Sequence, residues 1–351
     1  MLKSYIIRNI IIVLISTMMF ALFSSCATSS ELFKDSEQGF KLGIHVLMDS
    51  KESLDAVKND IPKLSQSGID FIITEINYHY EYQSHPELRG YGHITKEEIR
   101  NLLETCKEYN IELIPQFQCL GHQSWASETF TLLTVYPEFD ETPGQYPNNE
   151  NIYCRSWCPL HPEINPIIFD LMDELVDAFD AKIFHVGMDE VFLIGSEFCP
   201  RCNGKDPAFL FSKAVNDYYN HLVRKRGLEM MMWGDRLIDT ASTGYSHWEA
   251  SNSRTHLAID SIPKDIIICD WHYAKLDQYP SIPIFLKKGF RILPSSWKDV
   301  DAANALLEYS LKHKNQNMLG HLLTTWKKPV AGEFANHPTI KPVSERLGKM
   351  K

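Results

Sequence analysis

Strand-like and helix-like segments alternate along most of this chain of 351 residues. Short apolar runs, of the kind that form buried strands, are separated by longer stretches with the periodicity of amphipathic helices. The predicted strands are 42–47, 70–76, 112–117, 182–186, 229–233, 266–271, 291–294 and 319–326. The predicted helices are 54–65, 96–109, 164–179, 208–226, 279–288 and 302–314, with a short, weak crossover at 256–262. This alternation predicts an α/β protein whose parallel strands are joined by helical crossovers.

Eight strands in this order favour a closed (β/α)8 TIM barrel over an open doubly wound sheet. Residues 266–269 form a continuous apolar run, as a strand that is covered on both faces requires. An open sheet is typically accompanied by a glycine-rich nucleotide loop after the first strand, and the sequence has no such loop there. The segment after Pro329 is too short for a full eighth helix. We therefore expect one barrel domain over 41–351, with irregular closure at the eighth unit.

The first 25 residues have the pattern of a secretory signal peptide. Lys3 and Arg8 precede an apolar run at 10–23, which is too short to span a bilayer comfortably. Residues 22–26 (L-F-S-S-C) resemble a bacterial lipobox, with Cys26 as the lipidated residue. We expect a lipoprotein signal at 1–25, a lipid anchor through Cys26, a tether at 26–40, and export to the periplasm or outer membrane of a bacterium. Ordinary secretion with an incidental Cys26 is the alternative.

The chain is acidic, with a formal net charge of −10 at pH 7. Nucleic acids and anionic membrane surfaces attract proteins that present clustered positive charge. The charge balance therefore argues against nucleic acid as a partner.

Two adjacent carboxylates, Asp189 and Glu190, follow the predicted fourth strand. Neighbouring side chains in a regular strand point to opposite faces, so the pair can share a site only where the strand has ended. Active sites of these barrels lie at the C-terminal ends of the strands. The pair is therefore predicted to be catalytic; the alternative is an N-terminal cap for the next helix.

The tryptophans are concentrated at the same predicted rim. None of the seven falls inside a predicted helix. Four close the predicted strands five to eight, and three lie in segments that follow strands: Trp233, Trp271, Trp297 and Trp326, then Trp125, Trp157 and Trp248. Flat aromatic walls with a few polar groups suit a pyranose ring. A carboxylate pair in such a pocket indicates glycoside hydrolysis, with one acid protonating the leaving oxygen and the other staying ionised.

Residues 185–190 (H-V-G-M-D-E) resemble the H-x-G-G-D-E signature of glycoside hydrolase family 20, the β-N-acetylhexosaminidases, with Met188 in place of a second small residue. Segments 95–100 and 109–122 resemble the family's helix, third strand and P-G-H turn. Segments 232–235 (M-W-G-D) and 325–326 (T-W) resemble its later strand ends. The resemblance extends from about residue 41 to residue 328 and identifies the chain as a divergent member without the family's N-terminal accessory domain.

The resemblance implies substrate-assisted retaining hydrolysis of β-linked N-acetylhexosamine from an oligosaccharide or glycoconjugate, with no cofactor and no metal. It implies that Glu190 is the general acid and base and that Asp189 orients the acetamido group. Tyr273 is the first candidate to contact the acetamide and Tyr245 the second. The substrate-binding residues expected on this basis are Trp233, Trp271, Tyr273, Trp297, Trp326, Asp235, His122, His185 and Asn77, with the two histidines more plausible as supports of the acidic pair.

The sequence departs from the family pattern at further positions, including Gln116 and Gln118 of the third strand, where acids are common. The family usually has an arginine after the first strand, where this chain has His45 and Asp49. It also tends to have W-x-E at the eighth strand, whereas here Trp326 is followed by Lys327 and Lys328.

Two further classes of function fit parts of the pattern. One is a glycan-binding lipoprotein that keeps the pocket without turnover. The other is a metal-dependent hydrolase that uses His45, His122, His185 and nearby acids.

The cysteines allow several states. Cys154 and Cys158 are spaced C-x3-C, and Cys199 and Cys202 are spaced C-x2-C. Both pairs lie in predicted loops. In an exported protein they could form disulfides, bind zinc together or remain free thiols.

Overall fold

A computed structural model describes residues 32–33 and 39–349 of the chain. The predicted signal peptide, Cys26 and most of the predicted tether lie outside these residues. Within the described part, no helix is both long enough and apolar enough to cross a membrane.

Eight parallel strands form a closed barrel, which confirms the predicted (β/α)8 architecture. We number them in chain order. They are β1 (Lys41–Leu47), β2 (Phe71–Glu75), β3 (Glu112–Cys119), β4 (Ile183–Gly187), β5 (Glu229–Trp233), β6 (Ile267–Trp271), β7 (Arg291–Ser296) and β8 (Gly320–Thr324). Each strand pairs with its neighbours in the sequence, and β8 pairs with β1. The C-terminal ends of all eight strands therefore meet at one rim of the barrel.

Helices and turns connect the strands. The α-helices are α1 (Lys51–Gln66), α2 (Lys96–Glu108), α3 (Thr131–Val135), α4 (Ile164–Phe179), α5 (Pro207–Tyr219), α6 (Thr240–Thr243), α7 (Ser281–Lys287), α8 (Val300–Lys312) and α9 (Ile340–Arg346). A π-helical turn at Asn220–Lys225 extends α5. The predicted weak crossover at 256–262 is a 3-10 helix, Thr255–Asp260.

Local sequence signals explain where the longer helices begin. Ser50 caps α1 and Thr95 caps α2, and each forms a reciprocal capping box with the third residue of its helix. Such a box pairs two backbone N–H groups that would otherwise have no partner within the helix. The cap at Ser50 explains why α1 begins three residues before the predicted start at residue 54.

The barrel interior is filled by side chains, as in a packed core. Phe71 of β2 lies in this interior with apolar residues from the other strands. Its ring occupies the space beside Gly43 of β1, where an added Cβ would lie 2.2 Å from the ring. Phe33, within the predicted tether, packs edge-on against Phe71 at 5.6 Å between ring centroids. This end of the barrel is therefore closed by apolar contacts, and the opposite rim is left for polar groups.

The eighth unit closes the barrel regularly. β8 pairs with β1 through five positions and with β7 through two. The irregular part is the segment after β8, which forms a 3-10 turn at Phe334–Asn336 and the seven-residue α9. Asp60 of α1 holds this segment, because its carboxylate accepts the backbone N–H groups of Gly332 at 2.9 Å and Ala335 at 2.8 Å.

Replacing Asp60 by alanine is expected to lower the free energy of unfolding by about 2–4 kcal/mol, because two charge-assisted hydrogen bonds are lost at a buried site. Urea denaturation of the purified protein measures the change. The matched control is Asp55→Ala on the same helix, where an exposed, solvent-screened pair with Lys51 is removed and little change is expected. If both variants lost the same free energy of unfolding, Asp60 would not have the stabilising role assigned to it.

Candidate active site

The backbone at the exit of β4 is left-handed. φ is +67° at Gly187, +78° at Met188 and +48° at Glu190. Non-glycine residues rarely adopt such values, and clusters of them are typical of functional sites. A Cβ at Gly187 would lie 2.1 Å from the amide oxygen of Gln118, so a larger residue would be strained there and would displace the side chain of Gln118. Because the chain has left its pleat, the side chains of residues 189 and 190 can share one site.

The alternative interpretation of this pair, a cap for the next helix, does not apply. The next helix is α5, which begins at Pro207, and its N-terminal cap is Asp206.

A histidine lies between the two carboxylates. Nε2 of His122, from the loop after β3, is 3.1 Å from Oε2 of Glu190 and 3.3 Å from Oδ2 of Asp189. The other oxygen of Asp189 accepts a hydrogen bond from the side-chain amide of Gln118. His122 and the pair therefore form a compact charged group in which one imidazole contacts both acids.

Electrostatics determine the charge states of this group. Burial alone lowers the pKa of His122, but the charge of Asp189 and hydrogen bonds to both carboxylates raise it well above the usual 6.5. Burial also raises the pKa of Asp189, but the positive charge of His122 and the bonds from His122 and Gln118 outweigh this, and the net pKa is lowered. Near neutral pH, His122 is thus a cation and Asp189 a carboxylate.

Asp235 supports Glu190 from behind. Its Oδ2 accepts the backbone N–H of Glu190 at 2.9 Å and Nε of Arg236 at 2.6 Å, and its Oδ1 accepts the indole N–H of Trp271 at 3.3 Å. Burial raises the pKa of Asp235 to about 6, against the opposing charge of Arg236. Asp235 was expected to contact substrate, but its side chain is almost fully buried and holds the backbone of Glu190 in place.

The other histidines of the rim do not converge with His122. Nδ1 of His185 accepts the N–H of Gly187 at 3.0 Å, and its ring packs against Trp233 at 4.7 Å. Burial lowers the pKa of His185 well below 6.5, so this ring is neutral. Nε2 of His45 lies 3.2 Å from Oε2 of Glu75. The three histidines that a metal-dependent hydrolase would require therefore serve separate contacts.

Asn77 is engaged at both ends of its amide. It donates to Glu75 at 2.8 Å and accepts the backbone N–H of Gln118 at 2.8 Å. Asn77 was expected to bind substrate, but in the structure it links the exits of β2 and β3.

The four tryptophans predicted at the ends of strands five to eight lie together with Tyr273. We call this group the inner aromatic cluster: Trp233, Trp271, Tyr273, Trp297 and Trp326. Trp326 packs against Trp233 at 5.5 Å, and its indole N–H donates to the hydroxyl of Tyr273 at 2.7 Å. Tyr273 stacks on Trp271 at 5.0 Å and lies 5.6 Å from Trp297.

Two of the seven tryptophans lie deeper than expected. Trp233 is fully buried, so it forms the floor below Trp326 and has no surface open to a ligand. Trp157 is also fully buried and belongs to the main hydrophobic core. Both rings add large apolar surface to the buried interior of the fold.

A second group of aromatic residues lies in the loops above the rim, and we call it the outer aromatic cluster: Trp125, Tyr153, Phe192 and Trp248. Trp125 and Trp248 are substantially exposed. The hydroxyl of Tyr153 lies close to Glu190, and burial together with the charge of Glu190 raises the pKa of this tyrosine. Sequence reasoning missed Tyr153, because it lies far from any strand end in a long loop. The one sequence signal at this position is that an aromatic residue adjoins Cys154.

Opposite charges lie at the exits of β1 and β8. Nζ of Lys328 contacts Oδ2 of Asp49. These residues stand where the family usually has an arginine and a glutamate, so this chain has an acid after β1 and a base after β8.

Of the four cysteines in the two predicted pairs, three lie together and the fourth lies apart. Cys158, Cys199 and Cys202 lie together with Glu141. Cys154 is not part of that group; its thiol contacts the backbone carbonyl of Glu190 at 3.3 Å.

The arrangement offers an ionised buried carboxylate, a second carboxylate beside it on the more open side, and aromatic surfaces on both sides. It can bind a flat apolar ring with a polar substituent and place a charge and a proton donor against it.

The chain resembles known proteins in sequence and fold. The family model described as "Glycosyl hydrolase family 20, catalytic domain" matches residues 42–336. Lacto-N-biosidase of Bifidobacterium bifidum is 22% identical over 237 residues, which is 63% of this chain and 18% of that protein. A beta-hexosaminidase of Akkermansia muciniphila is 32% identical over 114 residues, which is 32% of this chain and 22% of that protein.

A chitobiase of Flavobacterium johnsoniae has the same fold, with a TM-score of 0.63 at 21% identity, covering 86% of this chain and 47% of that one. The aligned part is thus about a fifth of the length of the two curated relatives and about half of the solved structure. Since the family model covers most of the described residues, the chain belongs to glycosyl hydrolase family 20.

Proposed function

We propose that this protein is an exported β-N-acetylhexosaminidase that removes a terminal β-linked N-acetylhexosamine from glycans by substrate-assisted retaining hydrolysis. The observation that carries the proposal is the pair of Asp189 and Glu190 around His122, placed at the barrel rim beside the inner aromatic cluster. The family membership and the hexosaminidase names of relatives support the same class of reaction.

Asp189 has the properties needed to act on the acetamido group. Its pKa is lowered by His122 and Gln118 despite burial, so it stays ionised. In the proposed reaction the substrate's acetamido oxygen attacks the anomeric carbon, and positive charge develops on the resulting oxazolinium ring. A fixed carboxylate in a water-poor site stabilises such charge more strongly than it would in water. Asp189 would thus orient the acetamido N–H and stabilise the intermediate.

Glu190 lies on the side of the outer aromatic cluster, where a leaving group would be. It would protonate the glycosidic oxygen as the bond to the anomeric carbon breaks. It would then take a proton from the water that opens the oxazolinium ring, which returns the acid to its starting state. The hydrogen bond that its backbone N–H donates to the carboxylate of Asp235 holds it in position, and Tyr153 lies beside it.

The inner aromatic cluster supplies the sugar-binding surface. Tyr273 is the better candidate for the acetamide contact, because its hydroxyl lies beside Trp326 and the charges of both active-site carboxylates act on it. Tyr245 is directed elsewhere, since its hydroxyl meets Ser281 at 3.1 Å in a buried site. Trp326 and Trp297, which are partly exposed, offer the flat faces on which a pyranose ring can stack.

The Asp49–Lys328 pair would bind the hydroxyls of the terminal sugar on the side away from the scissile bond. It bridges β1 and β8 next to Trp326. An ammonium group and a carboxylate can donate to and accept from neighbouring hydroxyls, as an arginine and a glutamate do, with the positions of the charges reversed.

Export is proposed on the sequence alone. The signal-like residues 1–25 and the lipobox-like residues 22–26 support a lipid anchor through Cys26 at the periplasmic face or outer membrane of a bacterium.

The first prediction concerns the two carboxylates. The purified protein is expected to release p-nitrophenol from N-acetyl-β-glucosaminide or galactosaminide, and Glu190→Gln and Asp189→Asn are each expected to lower kcat/KM about 10²- to 10⁴-fold. The control is Glu197→Gln, an exposed carboxylate on the same loop, which is expected to keep full activity. If neither substrate nor longer acetamido glycans are hydrolysed, the proposal is wrong. A tryptophan fluorescence change on sugar binding would then favour the glycan-binding alternative.

The second prediction concerns the pH dependence of stability. The folded-state pKa of His122 is raised, so its ion pairs stabilise the fold fully below the unfolded pKa of about 6.5, and this stability is lost as pH rises through the raised value. The free energy of unfolding should therefore differ most between wild type and His122→Gln below pH ~6.5, and the difference should shrink towards alkaline pH.

Denaturant unfolding at several pH values measures this difference. His93→Gln, at an exposed histidine, serves as the control and is expected to differ little from wild type throughout. The free energy of unfolding of the wild type could instead exceed that of His122→Gln by the same amount from acidic to alkaline pH. That result would show that His122 carries no charge in the folded protein.

The third prediction concerns substrate recognition. Lys328→Ala is expected to raise KM about 10-fold with a smaller change in kcat, because a charged hydrogen bond to a distant hydroxyl is lost while the reacting groups remain. Lys327→Ala, at the adjacent exposed lysine, is the control and should leave KM unchanged. Steady-state kinetics on the same chromogenic glycoside measure both variants; an unchanged KM in Lys328→Ala would remove this residue from the sugar site.

A further inference from the structure

A second group of chemically active side chains lies in the loops behind the candidate active site. Its members are Glu141, Cys158, Cys199 and Cys202. One sulfur or oxygen atom from each lies within 4.8 Å of the others, and all four side chains are at most 1% exposed. Glu141 and Cys158 come from the long loop between β3 and α4, and the other two come from the loop between β4 and α5. The group therefore joins two loops that are distant in sequence.

The carboxylate of Glu141 is fixed but only half satisfied. Its Oε1 accepts the backbone N–H groups of Gly195 at 2.7 Å and Ser196 at 3.0 Å. Its Oε2 is buried and faces the thiols, and among the described residues no N–H or O–H donor reaches it. A fully buried carboxylate oxygen without a strong donor is costly unless a cation binds it.

Backbone amides also lie near the sulfur atoms. The backbone N–H of Leu160 lies near the sulfur of Cys158, and those of Arg201 and Cys202 lie near the sulfur of Cys199. Amide donors around cysteine sulfur stabilise the thiolate, which is the form that binds metal.

A disulfide would leave this group incomplete. Cys158 and Cys202 are free, with their sulfurs 3.4 Å apart. Joining any two of the three cysteines would leave one buried thiol over and would provide nothing for Oε2 of Glu141. A single cation at the centre would satisfy all four groups.

We propose that Glu141, Cys158, Cys199 and Cys202 form a structural zinc site. Zinc favours four ligands in a tetrahedron and accepts both thiolate and carboxylate. With Zn–S bonds of about 2.3 Å, sulfurs at the corners of a tetrahedron lie about 3.8 Å apart, which the present spacing reaches with small shifts. Three sulfur ligands favour zinc over magnesium or calcium, which bind oxygen. Four protein ligands leave no open position, so the metal would have no direct part in hydrolysis.

The position of the site gives it a structural role. Cys158 lies in the same loop segment as Tyr153 and Cys154, which contact Glu190. Cys199 lies in the same loop as Glu190, the loop that follows β4. The metal would thus fasten the loop that carries Tyr153 to the loop that carries the proposed acid.

Metal analysis of the full-length protein tests the proposal. After purification or incubation with Zn²⁺ and removal of loose ions, mass spectrometry of the dissolved metal is expected to find about one zinc per chain. Replacement of zinc by Co²⁺ should give the intense near-ultraviolet absorption of cobalt–thiolate bonds. Cys199→Ser and Glu141→Gln should each lose most of the zinc and unfold at lower temperature, whereas Cys106→Ala, at a buried cysteine on α2, should retain it.

Wild-type measurements alone can overturn the proposal, even if a variant fails to fold. Less than about 0.1 zinc per chain after incubation, or thiol titration of the denatured protein showing a disulfide among these cysteines, would refute it. Neither result depends on whether the protein hydrolyses an N-acetylhexosaminide, because both concern metal and thiol content.

Discussion

The left-handed backbone at the end of β4 is the constraint on which the candidate site depends. It brings the side chains of Asp189 and Glu190 to one side, where a single imidazolium contacts both. Without that cation, two carboxylates in contact would repel and at least one would take up a proton. The pairing of β3 with β4 is irregular between Gln116 and Cys119, and this irregularity accompanies the approach of Gln118 to Asp189.

A buried ion pair extends this arrangement to the loops. Asp235 holds the backbone N–H of Glu190 and the guanidinium of Arg236. Arg236 is fully buried and donates to the carbonyls of His247, Trp248 and Ala250. Such a pair contributes little net stability but strongly penalises alternative arrangements, because breaking it leaves a charge unpaired in the interior. It therefore connects the proposed acid to the loop that carries Trp248 of the outer aromatic cluster.

The barrel and its loops have different structural roles. The packed interior around Phe71 and the floor formed by Trp233 provide rigidity below the rim. Above the rim, polar contacts and the proposed zinc site hold the long loops next to Asp189 and Glu190. Many buried polar side chains lie near the strand exits, among them His45, His185 and Asp235. Catalytic geometry tolerates little looseness, and rigid elements below with tied loops above supply the required positioning.

The sequence by itself determined the eight-stranded barrel, the strand exits and the carboxylate pair, because periodicity and strand-end position are local properties. It did not determine which residues meet across loops. Tyr153 joins Glu190, Cys154 separates from the other cysteines, and Glu141 joins them, although nothing in their spacing indicates this. Burial is equally non-local: Trp233 and Trp157 have the same side chain as Trp326 but lie in the interior. Only the packing of distant segments decides which side chains remain open to a ligand and which groups share a charge.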